Sequence, residues 1–193
     1  MKGLLLPIAA PSGTGKTTVC HALQQDDERF IFSVSCTTRP PRNHERDGVD
    51  YHFVSPEKFQ ELIHSQQLIE WEQVFDHYYG TLKSAIEEAL SQGKILLLDI
   101  DVKGALNIKK AYPEHTITIF LLPPSLEELN RRLAGRGTET AEEIAKRQAR
   151  LKSEIALSTQ FDHVIVNDHL VETITNIKKI IEEYFCNDQN HSV

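Results

Sequence analysis

Short apolar runs alternate along the chain with segments in which apolar residues recur every three or four positions. The runs occupy residues 4–9, 94–101, 117–122 and 163–167. Continuous apolar runs are typical of strands buried on both faces, as in parallel sheets covered by helices. The pattern therefore predicts an α/β core with a parallel sheet. An apolar stripe at helical spacing from Val171 to Ile181 predicts a last helix packed against that sheet.

Pro7 falls inside the first of these runs. Proline has no N–H group, so within a central strand it removes one hydrogen bond from the ladder. We therefore expect Pro7 at a strand end, or with its nitrogen facing a direction in which no strand pairs.

The first of two segments that break the alternation is residues 35–82. It contains strand-like pieces at 51–54 and 68–75 around a helix that Ser55 caps and Pro56 opens. We interpret it as a small inserted lobe.

The second segment, residues 125–158, has a helical pattern and is rich in basic side chains. The basic residues are Arg131, Arg132, Arg136, Lys146, Arg147, Arg150 and Lys152. One interpretation is a cationic flap over an anion. The other is a solvated helix face, paired with Glu127, Glu128, Glu142 and Glu143. The residues of this segment alone leave both interpretations open.

Length and charge narrow the class of protein. A chain of 193 residues is long enough for one well-buried core, and we expect a single globular unit. The formal charge of −7 argues against a general nucleic-acid or anionic-membrane surface, which needs a broad basic face. The three cysteines have no metal-like or redox spacing, and the apolar residues 3–10 are too few to span a membrane. We expect a cytoplasmic protein without nucleic-acid or membrane partners, and a homo-oligomer is compatible with the sequence.

The strongest chemical signal directly follows the first run, where residues 9–18 read A-A-P-S-G-T-G-K-T-T. Glycines allow successive backbone N–H groups to wrap a phosphate, and a helix beginning near Lys16 directs its positive end at the anion. Lys16 adds a charge, and Thr17 supplies a hydroxyl for Mg²⁺. Ala10 replaces the first glycine of the general pattern, but Pro11 already confines its predecessor to extended backbone. The motif predicts that the protein holds a nucleoside triphosphate by its phosphates.

Further motifs follow this loop in order along the chain. They are S-C-T-T-R-P-P-R at 35–42, D-Y-H-F at 50–53, I-E-W at 69–71, Y-Y-G-T at 78–81, D-I-D-V-K-G at 99–104, G-R-G-T at 135–138 and V-N-D at 166–168. Together they resemble the signatures of guanylate kinases over nearly the whole chain. The resemblance implies a P-loop NTPase fold with three parts. These are a three-layer core with a parallel sheet (about 1–34, 83–124 and 159–193), an inserted GMP-binding lobe (about 35–82) and a helical lid (about 125–158).

The loop motif and the resemblance together assign site residues. The GMP-binding set is Ser35, Arg39, Arg42, Tyr51, Glu70, Tyr79, Thr81 and Asp101. The ATP-binding set is Ala10, Pro11, Ser12, Gly13, Thr14, Gly15, Lys16, Thr17, Thr18 and Asn167, with Asn167 on the adenine side. The catalytic set is Lys16 with the lid arginines Arg132, Arg136 and Arg147. The Mg²⁺ set is Thr17 with Asp99, which acts through water.

The chemistry of guanine agrees with the assignment of Glu70. Guanine presents N1–H and its exocyclic amine side by side as two donors, which one ionised carboxylate can accept together. Adenine presents an acceptor at N1 and would leave the carboxylate unmatched. Without the surrounding motifs, a glutamate beside a tryptophan is more often a surface residue, and Tyr51 and Tyr79 are more often packing residues.

The sequence thus predicts transfer of the γ-phosphoryl group of ATP to GMP, giving ADP and GDP, with Mg²⁺ as cofactor, in purine nucleotide metabolism. Two other classes are weighed against it. A non-catalytic guanylate-kinase-like interaction module does not need an intact Lys16 and Thr17. A related P-loop kinase of a phosphorylated sugar has no reason to retain Glu70, Tyr79 and Thr81.

Overall fold

The computed structural model describes residues 2–43, 45–74, 76–125, 127–129, 131, 151 and 153–190, with the backbone alone at 188–190. In chain order the elements are β1 (Leu4–Ala9), α1 (Lys16–Asp26), β2 (Phe30–Phe32), β3 (Cys36–Thr37), β4 (His52–Phe53), α2 (Pro56–His64), β5 (Leu68–Val74), β6 (His77–Leu82), α3 (Lys83–Ser91), β7 (Ile95–Asp99), α4 (Val102–Ala111), β8 (Ile119–Leu122), β9 (His163–Val166) and α5 (Leu170–Asn190). Short 3₁₀ turns lie at Pro113–His115 and Ser158–Gln160.

Five of the described strands form the core sheet, in the order β2-β7-β1-β8-β9. Every neighbouring pair in it is parallel. The central pair, β1 with β7, runs in register from Leu4 opposite Ile95 to Ile8 opposite Asp99. Because parallel strands end at the same edge of a sheet, the residues that follow β1 and β7 meet there.

The two faces of the core sheet bury alternate residues of the same strands. Leu4, Leu6 and Ile8 pack with residues of α1 and α5, whereas Leu5 and Ala9 pack with residues of α3 and α4. All five side chains are fully buried. This alternation produces three layers, helix over sheet over helix, and confirms the predicted α/β core with a parallel sheet.

The predicted last helix is present as α5, with one correction. Ile177 and Ile181 are buried against the sheet, and Ile174 is partly buried there. Val171 was expected to continue the stripe, but its side chain is 76% exposed. The buried face of α5 therefore begins one turn later than the sequence pattern indicates.

Pro7 lies inside β1, so the alternative of a strand-end position is wrong. The N–H of Leu4 donates toward the β7 side, to Lys94, and the carbonyl of Leu5 faces the β8 side, where it accepts from Ile117. By strand alternation the Pro7 nitrogen also faces β8. Pairing with β8 is interrupted there, between the isolated bridge at Leu5 and the ladder that begins at Ile8. The Pro7 nitrogen thus faces a gap in the pairing, although β8 pairs with β1 on that side.

A second sheet, in the order β4-β3-β6-β5, is built by residues between β2 and α3. Helix α2 covers it, and Phe59 and Leu62 pack with Cys36 and Leu68. As predicted, the Ser55 hydroxyl caps α2 by accepting from the N–H of Lys58, and proline occupies the first turn.

The sequence pattern missed three strands, β2, β3 and β6. β2 and β3 have only three and two residues, too few for a hydrophobic period. β6 reads H-Y-Y-G-T-L and is interrupted by Gly80, which is buried. A Cβ at Gly80 would lie 2.9 Å from a Leu68 methyl and 3.0 Å from the Glu70 carbonyl oxygen, so glycine permits the close approach of β5. The strands predicted at 94–101 and 117–122 are shorter, as β7 and β8.

Residues 127–129 and 153–157 are helical, as expected for the segment 125–158. Most of the proposed lid, including Arg132, Arg136 and Arg147, lies outside the described residues. Across the part of the chain that the structure describes, no helix has both the length and the apolar character required to cross a membrane.

Asp162 ties the segment before β8 to β9. Its carboxylate accepts hydrogen bonds from the Thr118 N–H at 2.8 Å and the Thr118 hydroxyl at 2.9 Å, and Lys109 Nζ lies 3.1 Å away. Burial raises the pKa of the Asp162 carboxyl, but the Thr118 hydrogen bonds and Lys109 outweigh it, so the pKa is lowered overall. The ionised form therefore stabilises the fold.

We expect Asp162→Asn to lower the free energy of unfolding at pH 7 by about 1–2 kcal/mol, a discounted value because the carboxylate is 35% exposed. The lowered pKa places this contribution above the ordinary aspartate value of about 3.9, and it is lost as pH falls through the folded-state pKa. Urea denaturation of both proteins from pH 3 to pH 7 measures the difference.

Asp26→Asn is the matched control, because Asp26 is a half-exposed surface carboxylate paired with Lys178. Loss of this ion pair should lower the free energy of unfolding by less than about 1 kcal/mol. Equal effects of the two substitutions would contradict the role given to Asp162.

Candidate active site

The loop between β1 and α1 has the backbone geometry of an anion cradle. Gly13 and Gly15 have φ values of 89° and 97°, a region that a side chain disfavours. Helix α1 begins at Lys16 with no acidic residue in its first turn, so the positive end of its dipole is free of a competing carboxylate on its own helix. The conformation predicted from the motif is present.

Ala10 causes no strain at the first position of this loop. Among the described residues, only Gln66 combines a side chain with positive φ. Ala10 is partly buried and packs against the core cluster that contains Leu4, Leu6 and Ile8. The departure from glycine is therefore harmless, as expected.

Three functional groups meet at the shared edge of β1 and β7. Lys16 Nζ lies 2.6 Å from one carboxylate oxygen of Asp99, and the Thr17 hydroxyl donates to the other at 2.7 Å. Lys16 also donates to the Ile100 carbonyl at 2.8 Å. Because an ammonium group has three protons, these contacts leave Lys16 one donor for an anion.

A divalent cation fits this group of oxygen atoms. Hard cations such as Mg²⁺ bind few protein oxygens and keep water or phosphate oxygens as the remaining ligands. The Thr17 hydroxyl and the Asp99 carboxylate are adjacent, and both are oxygen donors. In the described part of the chain, no cluster of three or more His, Cys, Asp or Glu side chains could hold a metal by itself. The donor set thus suits a cation that arrives with a nucleotide.

Asn167 lies at the end of β9, buried directly behind the phosphate loop. Its amide nitrogen donates to the Thr14 carbonyl at 2.8 Å, and its amide oxygen accepts from the Thr173 hydroxyl at 2.9 Å. A Cβ at Gly15 would come within 3.0 Å of that amide nitrogen. The structure therefore gives Asn167 a loop-holding position that the sequence did not indicate, while the expected adenine contact stays a prediction.

On the lobe, a bulge in β5 positions Glu70. Leu68 pairs with Leu82, but the next pair is Glu70 with Thr81, so one extra residue is inserted in β5. A regular ladder would place Glu70 opposite Gly80 instead. The bulge brings the Thr81 hydroxyl to within 2.5 Å of the Glu70 carboxylate, to which it donates.

Helix α4 of the core closes over the same carboxylate. Asp101 caps α4 by accepting from the Gly104 N–H at 2.7 Å. A Cβ at Gly104 would lie 2.9 Å from Glu70 Oε2, so glycine leaves the room that the carboxylate occupies. Burial raises the pKa of the Glu70 carboxyl, the Thr81 hydrogen bond opposes this, and the Asp101 charge adds to it.

A cationic and phenolic pocket lies beside this acid on the lobe. The Arg39 guanidinium sits 5.5 Å from the centre of the Tyr51 ring, and the Tyr51 and Tyr79 rings pack edge to face at 6.1 Å. The pKa of the Tyr51 hydroxyl is raised. Burial is the main cause, and the negative charge of the Asp99 carboxylate is the second. The Tyr51 hydroxyl is thus influenced by the charge of Asp99, the carboxylate that Lys16 and Thr17 contact.

Glu45 belongs to this pocket, and sequence reasoning missed it. Its carboxylate accepts from the Arg39 guanidinium at 2.7 Å and from the Arg42 backbone N–H at 2.8 Å. This pairing is the main reason that the pKa of Arg39 is raised and that of Glu45 lowered. The spacing R-x-x-R-x-x-E at 39–45 was the available signal.

The other predicted residues are placed as follows. Ser35 is half-buried directly before β3, and its carbonyl accepts from the His52 N–H at 2.9 Å. The side chain of Arg42 is exposed at the rim of the pocket. Ser12, Thr17 and Thr18 are exposed along the phosphate loop and the first turn of α1, whereas Pro11 and Thr14 are buried.

We expect Glu70→Gln to raise the stability of the ligand-free protein at neutral pH. A raised folded-state pKa means that ionisation of Glu70 costs stability as pH rises, whereas a neutral amide can still accept from Thr81. Below the ordinary glutamate pKa of about 4.3 the two proteins should converge. Urea denaturation between pH 4 and pH 8 measures the gap.

Glu61→Gln is the matched control, since Glu61 is an exposed glutamate paired with Lys58 on the same lobe. Its stability should track the wild type at every pH. A Glu70→Gln protein that is less stable at pH 7 would contradict the proposed cost of burying the charge.

Known proteins of the same kind match this chain over most of its length. It is 44% identical over 182 residues to the guanylate kinase of Anaeromyxobacter dehalogenans, covering 94% of this chain and 80% of that protein. It is 46% identical over 180 residues to the guanylate kinase of Clostridioides difficile, covering 93% and 87%. The crystal structure of guanylate kinase from Anaplasma phagocytophilum superposes with a TM-score of 0.78 at 34% identity, covering 94% of this chain and 86% of that one.

The family comparison agrees with these relatives. The sequence profile described as guanylate kinase matches residues 3–184, which include the phosphate loop, the lobe and the whole core sheet. The chain therefore belongs to the guanylate kinase family.

Proposed function

We propose that the protein transfers the γ-phosphoryl group of ATP to the phosphate of GMP, giving ADP and GDP, with Mg²⁺ as the divalent cation. As a member of its family the chain is an ATP-dependent nucleoside monophosphate kinase. The single observation that carries the choice of GMP is the half-buried Glu70 carboxylate, which accepts from Thr81 and packs against Gly104 of α4.

Glu70 reads guanine by accepting two hydrogen bonds. Thr81 directs the carboxylate from one side, and the absence of a side chain at Gly104 leaves room for its other oxygen beside α4. Guanine N1–H and its amine supply matching donors, whereas adenine N1 would face the carboxylate as a second acceptor. Asp101, fixed as the cap of α4, and Ser35 supply the further polar contacts with the base.

The acceptor phosphate binds in the pocket of Arg39, Arg42, Tyr51 and Tyr79. Arginine forks and phenolic hydroxyls suit a dianion, and they leave its reactive oxygen free. A phosphate monoester with a second pKa of about 6 is largely dianionic at neutral pH, so it needs no general base. In this proposal the free oxygen is directed at the donor edge of the sheet, where Asp99 lies.

The donor triphosphate lies in the cradle of residues 10–18. Backbone N–H groups and the α1 dipole bind its phosphates, and Lys16 adds a cation that neutralises charge as the γ-phosphoryl group moves. Thr17 and Asp99 would hold the cation, which would supply positive charge to the phosphates. Asn167 keeps Thr14 in place beneath this cradle.

The lid arginines complete the site in this proposal. Arg132, Arg136 and Arg147 would reach across the phosphates and neutralise the transferring group. Closure of the lobe and lid around both nucleotides would exclude the water that otherwise hydrolyses ATP.

The two other function classes are not favoured. An interaction module has no need for Lys16 and Thr17 to converge on Asp99, and here they do so at hydrogen-bond distance. A kinase of a phosphorylated sugar has no need for a half-buried carboxylate at Glu70. We place the enzyme in the cytoplasm, where an exposed free thiol such as that of Cys186 stays reduced, and where it acts on free nucleotides.

We expect the wild type to release ADP rapidly with GMP and Mg²⁺-ATP, and slowly with AMP, CMP or UMP. In Glu70→Gln, the ratio of kcat/KM for GMP to that for AMP should fall by ~10² to 10⁴. One carboxylate that accepts two hydrogen bonds becomes an amide that offers one acceptor and one donor, which is the pattern adenine needs. A coupled assay of ADP release measures each rate.

Glu61→Gln serves again as the control and should keep the wild-type ratio. Wild-type enzyme that forms no GDP would refute the proposed function. An unchanged ratio in Glu70→Gln would refute the base-reading role alone.

We expect Asn167→Leu to weaken ATP binding about tenfold while leaving the KM for GMP within about twofold. The substitution leaves the Thr14 carbonyl and the Thr173 hydroxyl without their partner, so the loop loses its support. If the side chain acts only on the loop, ATP and GTP as donors should be weakened equally. An altered ratio of ATP to GTP would instead indicate the adenine contact, and Asn176→Leu on the exposed face of α5 is the control.

A further inference from the structure

Glu45 connects the guanidinium of Arg39 to the turn that follows it in the acceptor pocket. Its Oε1 accepts from Arg39 Nη2 at 2.7 Å, and its Oε2 accepts from the backbone N–H of Arg42 at 2.8 Å. The N–H of Glu45 donates to the Arg42 carbonyl at 3.0 Å, which closes the turn. The turn therefore fixes the carboxylate, and the carboxylate holds the guanidinium. The motif at 35–42 ends before Glu45, and the resemblance assigns it no role.

The guanidinium of Arg39 is also held on its other sides. Its Nη1 donates to the Pro40 carbonyl at 2.7 Å, and its centre lies 5.5 and 5.9 Å from the centres of the Tyr51 and Phe53 rings. The side chain of Arg39 is 13% exposed and that of Glu45 is 16% exposed, so solvent screens this ion pair only partly. Because a guanidinium has five N–H donors, Arg39 keeps donors for a phosphate while it pairs with Glu45.

Glu45 has two opposite effects on an anion in this pocket. Its negative charge repels the anion, and this repulsion alone would weaken binding. Its hydrogen bond removes the rotational freedom of a long cationic side chain, which then needs less ordering when the anion arrives. A reacting group that is misplaced by about 1 Å can lose ~10² in rate, so the gain from orientation is expected in the chemical step.

We propose that Glu45 is a positioning residue, which orients Arg39 so that the acceptor phosphate of GMP presents its reactive oxygen to the γ-phosphoryl group. This inference rests on the proposed function. Glu45 acts through Arg39 and makes no contact with the nucleotide. Its removal should therefore lower kcat far more than it weakens GMP binding.

The test compares Glu45→Gln with the wild type in the assay of ADP release and in calorimetric titrations without ATP. One amide oxygen cannot accept from both Arg39 and Arg42, so the substitution keeps the shape but breaks one of the two hydrogen bonds. We expect kcat to fall ~10- to 100-fold, while the Kd for GMP changes less than about threefold because lost repulsion offsets lost orientation. Guanosine, which has no phosphate, should bind as tightly as it does to the wild type.

Removal of Arg39 separates positioning from a merely structural role, because Glu45 then has no guanidinium to orient. In an Arg39→Ala background, Glu45→Gln should leave kcat within about twofold and should tighten GMP binding, since an unpaired carboxylate would repel the phosphate. Glu61→Gln on the outer surface of the lobe is the control, and it should match the wild type in every measurement.

The inference is overturned if Glu45→Gln keeps the wild-type kcat, if it lowers kcat equally with and without Arg39, or if it weakens guanosine and GMP by one factor. A wild type that forms no GDP from GMP would instead show that the proposed function itself is wrong.

Discussion

The parallel pairing of β1 with β7 is the constraint on which the donor site depends. Its register places Ile8 opposite Asp99, so the phosphate loop leaves β1 at the point where β7 delivers a carboxylate. Lys16 and Thr17 then reach the two oxygens of that carboxylate at 2.6 and 2.7 Å. A slip of one residue would turn Asp99 to the other face of the sheet, and the loop would lose its partner.

The core and the phosphate loop could be predicted from sequence because each depends on local rules. Apolar runs predicted β1, β7, β8 and β9, and the spacing of the glycines indicated the geometry of the loop. The position of Glu70 opposite Thr81 could not be predicted, because it depends on one bulge that no pattern of residues in β5 reveals. Asn167 shows the same limit, since its contact with Thr14 joins residues 153 positions apart. Short strands such as β3 are defined by their pairing with neighbouring strands, so the residue pattern alone does not predict them.

In the proposed function, recognition and stability oppose each other at Glu70. The fold buries an acid whose ionisation is disfavoured there, and it adds the charge of Asp101 nearby. Thr81 offsets part of that cost in the free protein, but guanine would supply the two donors that satisfy the carboxylate fully. A carboxylate that lacks donors until its ligand binds lowers the stability of the free protein. The same lack of donors makes binding specific for a ligand that supplies them.

The cationic side chains of the two nucleotide sites could also bind unrelated anions. In the free protein each of two such cations is instead paired with a carboxylate of the chain itself. Asp99 holds Lys16 at the donor edge, and Glu45 holds Arg39 in the acceptor pocket. Each cation is thus oriented before a nucleotide arrives, which lowers the entropy lost on binding. A ligand with a single negative charge attracts such a cation no more strongly than the internal carboxylate does. A phosphate dianion offers more charge and a third oxygen, so this internal pairing favours phosphate esters over carboxylates at both ends of the cleft.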